Sequence, residues 1–150
     1  MVHIFRNFKV AFVSLVLIAS SAFAEINTTL SFYNDALRAQ VIGPTTLSAG
    51  KNANNPFTVK ITDANGAPYT GITKEWLSGT VEMTNMDMGV TKVTRVSDVL
   101  DAAGQLQGVI ALNPIFSMKG PWKLSLTMTV SDGNGGTIDE TQTINFNVTK

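Results

Sequence analysis

The chain has 150 residues and a balanced charge, with 11 Lys and Arg residues against 11 Asp and Glu residues. Because no basic patch or run of like charge stands out, nucleic acid and anionic lipid are poor candidate partners. The absence of cysteine excludes a disulfide framework, thiolate metal sites and cysteine nucleophiles.

The first 24 residues have the pattern of a secretory signal peptide. Arg6 and Lys9 supply a positive start, residues 10–19 form an apolar run, and an A-F-A cleavage site ends at Ala24. The apolar run is too short for a membrane span, and no later segment reaches the roughly 20 apolar residues that a spanning helix needs. We therefore predict cleavage after Ala24 and a mature protein that starts at Glu25, periplasmic or secreted.

Residues 25–150 are predicted to form one domain with a core of its own. Leu37–Ile42 fits either a short strand or a helical turn, and residues 45–55 read as a loop. Alternating apolar and polar residues predict half-buried strands. In chain order these are 57–61, a weaker one at 91–99, 106–112, 122–130 and 144–148. Turn sequences follow the first and fourth of them, at 63–66 and 132–136.

About seven short strands with closely spaced turns predict an all-β fold, an immunoglobulin-like antiparallel β-sandwich, with a small barrel as the alternative. The inward positions of the alternating strands supply the predicted core. These are Phe57, Val59, Ile61, Leu124, Leu126, Met128, Phe146 and Val148.

Methionines are concentrated in the segment V-E-M-T-N-M-D-M-G at 81–89, which contains Met83, Met86 and Met88, and Met118 follows downstream. A thioether is a soft ligand without an ionisable proton, so it suits Cu(I) rather than zinc or magnesium. The one histidine, His3, falls in the predicted signal peptide. Cu(I) would therefore meet only thioethers as soft ligands in the mature chain.

Strand parity separates ligand methionines from core methionines, which commonly fill gaps. If Val81 and Met83 face inward, Met86 and Met88 lie on the opposite, polar side, which favours a ligand role for that pair. Met118, in a turn before a strand, fits a ligand or a structural role.

Two further residues, Trp122 and Met128, are expected to have structural roles. Trp122 is expected to anchor the core rather than cover a metal. Met128 shares the apolar face of its strand and belongs to the core.

The mature chain has no His, no Cys and no G-x-S-x-G elbow, and its carboxylates are scattered. A general base near neutral pH would need a strongly shifted group, so we do not expect an enzyme. Two hypotheses remain. One is a Cu(I) carrier that exchanges metal with a copper donor or acceptor protein. The other is a structural or adhesive sandwich whose methionines form a protein-contact patch.

Residues 46–130 resemble the YtkA-like domain family, which is related to FixH and more distantly to the CopC-type copper carriers. The resemblance rests on L-S-A-G-K-N, F-T-V-K-I-T-D-A-N-G-A-P-Y-T-G, M-T-N-M-D-M-G and M-K-G-P-W-K-L-S-L. It implies an immunoglobulin-like sandwich outside the cytoplasm with a role in copper handling or in assembly of copper-containing oxidases. By position, the implied metal ligands are Met86, Met88 and Met118. Unlike the CopC-type pattern, the mature chain lacks histidine, which favours Cu(I) over Cu(II).

Overall fold

Nine β-strands form the regular structure of the protein in a computed structural model, which describes residues 25–150. In chain order they are β1 (Asn27–Phe32), β2 (Leu37–Ile42), β3 (Phe57–Asp63), β4 (Leu77–Met83), β5 (Thr91–Lys92), β6 (Val96–Leu100), β7 (Leu106–Leu112), β8 (Gly120–Ser131) and β9 (Thr137–Val148). The predicted signal peptide and its cleavage site lie outside the described residues. Within residues 25–150, no helix has the length and apolar character needed to cross a membrane.

The strands form two sheets, with the orders β1-β2-β3-β7-β6 and β5-β4-β8-β9. Neighbouring strands within each sheet are antiparallel. The prediction of an all-β antiparallel sandwich is confirmed, with nine strands where about seven were expected. Leu37–Ile42, which fitted two conformations, is a strand.

The core lies between the sheets and is built from the inward positions of alternating strands. The predicted core residues of β3 and β8, including Met128, are buried, and so is Val148 in β9. Trp122 is also buried and meets the Phe116 ring edge to face, with ring centroids 5.3 Å apart. Phe146 is only partly buried, because it lies near the end of an edge strand, where it packs against Phe57 and Phe116.

The segment 91–99, predicted as one weak strand, is two strands in different sheets. Thr91–Lys92 pairs with β4, and Val96–Leu100 pairs with β7. Between them Val93 is buried, and its amide donates to the Gly79 carbonyl at 2.8 Å. The chain therefore crosses from one sheet to the other where the sequence pattern indicated a continuous strand.

Three turns at one end of the sandwich repeat the sequence D-x-x-G, starting at Asp63, Asp101 and Asp132. In each turn one carboxylate oxygen accepts the amides two and four residues later, at 2.7–3.0 Å. The glycine of each turn has a positive φ, between 78° and 88°, which a residue with a Cβ adopts only with strain. We call this the turn end. The loops 84–90 and 113–119 lie at the opposite end.

Tyr33 joins the two sheets at the turn end. It lies in the β1–β2 turn, yet its hydroxyl donates to the carbonyls of Met128 in β8 and Ile138 in β9, and its amide donates to the Glu140 carboxylate. Burial and the nearby charges of Glu140 and Asp139 raise the pKa of the Tyr33 hydroxyl above its ordinary value. The first sheet is thereby fastened to the edge of the second by hydrogen bonds as well as by packing.

Candidate metal centre

Met83 is the last residue of β4 and faces the core. Burial alternates along this strand, with Val81 and Met83 inward, and Met83 pairs with Trp122 across to β8. The predicted inward parity of Val81 and Met83 therefore matches the structure. Beyond Met83 the chain leaves the sheet and forms the loop 84–90, so the sheet positions the root of this loop.

Met86 and Met88 lie in this loop rather than on a strand. The Met88 amide donates to the Met86 carbonyl at 3.1 Å, which is the hydrogen bond of a three-residue turn. The backbone between Met86 and Met88 is therefore turned, and not extended as strand parity had assumed. Their exposure is nevertheless high, at 53% for Met86 and 47% for Met88.

Loop 84–90 and the end of β4 line a solvent-open depression of about 350 Å³. Three of its lining residues are methionines: Met83, Met86 and Met88. Glu82 and Asp87 also line it, and the Glu82 carboxylate pairs with Lys123 Nζ on β8. Since that ion pair balances Glu82, Asp87 is the acidic group of the depression without a salt bridge among the described residues.

Met118 lies in loop 113–119, between β7 and β8, and is 38% exposed. It does not line the depression. Its carbonyl accepts a hydrogen bond of 3.0 Å from the buried Trp122 indole Nε1. Trp122 is therefore a core anchor, as predicted, and it also holds the backbone of the residue that carries the Met118 thioether.

Loop 84–90 is bonded to the start of β8, directly after the loop that carries Met118. The Thr84 amide donates to the Pro121 carbonyl at 3.0 Å. The Met83 methyl group lies against Gly120, where an added Cβ would come within 2.5 Å of Met83 Cε. Loop 84–90 and the segment that follows Met118 are thus neighbours, although Met86 and Met88 share a depression that Met118 does not line.

Asn55, in the loop that precedes β3, supports loop 113–119. This side chain is fully buried, accepts the Ser48 amide at 2.8 Å, and donates to the carbonyls of Ser48 at 2.9 Å and Pro114 at 3.4 Å. The Gly50 amide adds a bond of 2.8 Å to the Phe116 carbonyl. Residues 45–55, predicted only as a loop, therefore brace the Met118 loop. An asparagine in a Ser- and Gly-rich segment offers no signal for this role.

The donor chemistry of this end is dominated by sulfur. Within residues 25–150, no three His, Cys, Asp or Glu side chains come together in a metal-ligand arrangement. Of the five methionines in that range, three are exposed here, whereas Met83 and Met128 are 7% and 0% exposed. The predicted ligands are thus all accessible, on two adjacent loops.

The chain matches no protein-family model and no curated protein. Two solved structures are distantly similar: FetP of uropathogenic Escherichia coli strain F11 as isolated, and a copper-bound variant of FetP. The first is 9% identical with a TM-score of 0.41, covering 83% of this chain and 96% of FetP. The second is 10% identical with a TM-score of 0.43, covering 84% and 98%. Both similarities are too distant to support a function, and the resemblance to YtkA-like domains stays a prediction.

Proposed function

We propose that this protein binds Cu(I) through the thioethers of Met86, Met88 and Met118, and that it carries copper outside the cytoplasm without catalysing a reaction. The observation that carries the proposal is the exposure of all three side chains on two loops at the same end of the sandwich. Methionine is ordinarily buried or scattered on protein surfaces. Three accessible thioethers on adjacent loops suit a soft metal ion better than they suit stability.

The surroundings favour Cu(I) over harder cations. Zinc and magnesium sites require imidazole, thiolate or several oxygen ligands, and the loops 84–90 and 113–119 contain one carboxylate, Asp87, and neither His nor Cys. Thioethers prefer Cu(I), and Asp87 would place a negative charge near the cation. Met86 and Met88 would hold the ion in the depression, and Met118 would approach from the neighbouring loop.

An open site fits a carrier that exchanges metal with a copper donor or acceptor protein. The depression opens to solvent and its ligands lie on loops, so a partner can reach the ion without unfolding the sandwich. The predicted signal peptide directs the protein to the periplasm or the outside of the cell. In such oxidising surroundings a thioether, unlike a thiol, is not lost to disulfide formation.

The rival interpretation is a protein-contact patch. Val90, at 61% exposure, adjoins the exposed Met86 and Met88, so the loop presents a small apolar surface. Methionine-rich surfaces can serve as adaptable protein contacts. A contact patch and a Cu(I) site differ in one respect, because only the metal site needs the sulfur atom itself.

The deciding experiment is competition for Cu(I) against a chromogenic chelator. We expect the purified native protein to take up one Cu(I) per chain, and the double variant Met86→Leu with Met88→Leu to bind at least tenfold more weakly, or about 1.4 kcal/mol. Leucine retains the size and apolar character of methionine, so each replacement should alter stability by less than about 1.5 kcal/mol. Met128→Leu, in the core, is the matched control and should bind as the native protein does.

The pH dependence of binding provides a second criterion. Because a thioether has no proton to lose, native affinity should change little between pH 5 and pH 8. Equal Cu(I) affinity in the native protein, the double variant and Met118→Leu would refute the metal site and favour the contact patch.

A further inference from the structure

Met83 is the methionine that contacts both methionine-bearing segments. Met83 is one of the residues that line the depression, together with Met86 and Met88. Its terminal methyl group also lies against Gly120, two residues after Met118. Because the methyl carbon is bonded directly to the sulfur, the Met83 thioether lies close to Gly120, the first residue of β8 after the loop that carries Met118.

Met83 and Met128, the two inward-facing methionines of this sheet, differ in exposure and in position. Met128 is completely buried and pairs with Leu77, the first residue of β4. Met83 retains 7% exposure, lies at the end of its strand and borders the open depression. Of these two inward-facing methionines, Met83 lines the depression and Met128 does not.

Gly120 permits this placement. With a positive φ of 132° and no Cβ, it lets the Met83 methyl group approach the backbone, where a Cβ would lie 2.5 Å from Met83 Cε. The strand pairing of Met83 with Trp122 fixes the other end of the side chain. Met83 is therefore held by the sheet, whereas Met86 and Met88 lie on a loop.

We propose that Met83 is a fourth, inner ligand for Cu(I), held in place before the metal arrives and shared by the two loops. This inference rests on the proposed function and extends it to one more ligand. A ligand fixed by the sheet loses little conformational freedom on binding, so it contributes affinity that loop ligands partly lose to ordering. Met83 would then complete one set of sulfur ligands with Met86 and Met88, which line the same depression.

The test compares Met83→Leu with Met128→Leu, two inward-facing substitutions of the same type in the same sheet. The full chain is expressed with its own leader and purified as the host processes it. We expect Met83→Leu to weaken Cu(I) binding at least tenfold and to remove one sulfur from the copper shell measured by X-ray absorption. Met128→Leu should bind within about twofold of the native protein.

A measurement on the native protein keeps the inference falsifiable if Met83→Leu fails to fold. With ¹³C-labelled methionine methyl groups, stoichiometric Ag(I), a diamagnetic substitute for Cu(I), should shift the Met83 resonance and leave that of Met128 in place. An unshifted Met83 resonance, or native affinity and sulfur number in a folded Met83→Leu protein, overturns the inference while the proposed function stands. Failure of the native protein to bind Cu(I) or Ag(I) overturns both.

Discussion

Replacing Asn55 with alanine should destabilise the protein by several kcal/mol, although the residue lies in a loop. Asn55 is the one fully buried polar side chain among residues 25–150, and all its polar atoms are hydrogen-bonded. Asn55→Ala removes three bonds, two to the backbone of Ser48 and one to the Pro114 carbonyl. The bond from the Asn55 amide to Asn113 Oδ1 involves the backbone and survives.

The magnitude follows from the lengths of these bonds and from what they leave behind. The two bonds to Ser48, at 2.8 and 2.9 Å, should contribute about 1 kcal/mol each, and the 3.4 Å bond to Pro114 should contribute less. Backbone groups left without partners add a desolvation cost of about 1 kcal/mol or more. We expect a total loss of about 2–4 kcal/mol, which a domain with roughly 5–15 kcal/mol of stability survives.

Urea unfolding followed by far-UV circular dichroism measures this loss, with Asn52→Ala, an exposed asparagine of the same loop, as the matched control. The control should lie within about 0.5 kcal/mol of the native protein. Hydrogen exchange should accelerate at the amides of loop 113–119 in Asn55→Ala, because that loop loses its brace. Native stability in Asn55→Ala, with an unchanged m-value, would show that the buried bonds do not hold the two loops together.

Three further predictions concern the turn end and the methionines. Replacing Tyr33 with phenylalanine should destabilise the protein below about pH 10. The stability difference between the two proteins should shrink above that pH, because the raised pKa keeps the hydroxyl protonated in the folded state while it ionises in the unfolded state. Urea unfolding midpoints measured from about pH 7 to 11 test this. Gly104→Ala should cost about 1–2 kcal/mol in thermal unfolding, since φ is 78° there. Dilute hydrogen peroxide should oxidise Met86, Met88 and Met118 before the buried methionines, as peptide mass spectrometry can show, and Cu(I) binding should fall in step.

The sandwich could be predicted from the sequence because its strands are half-buried and alternate. Residues 57–61 and 122–130 show the period of two, and both are strands with the expected inward faces. β1 was not predicted because its first half is exposed and polar. Of β4, only the end at Val81 and Met83 was treated as a strand, because Gly79 and Thr80 interrupt the apolar character before it. The division of 91–99 depends on a tertiary contact of Val93, which no local pattern records.

The candidate site was predictable in composition but not in shape. Three closely spaced methionines drew attention to segment 81–89, and parity identified Met83 as inward-facing. The turn between Met86 and Met88 depends on a hydrogen bond within the loop. The support of the Met118 loop by Asn55 depends on a contact with Pro114, 59 residues away in the chain. Such contacts follow from the way the two sheets pack, which local periodicity does not contain.

The two ends of the sandwich keep their loops in place by different means. This difference makes the methionine end, with loops 84–90 and 113–119, suitable for testing metal ligands by substitution. At the turn end, each D-x-x-G turn satisfies its own amides with its own aspartate, so sequence, turn and stability are inseparable. At the methionine end the hydrogen bonds come from Thr84, Asn55 and Trp122, while the thioethers contribute no hydrogen bond to the fold. Removing sulfur from an exposed methionine therefore leaves every bond that shapes its loop, and a loss of Cu(I) affinity can be assigned to the lost ligand rather than to unfolding.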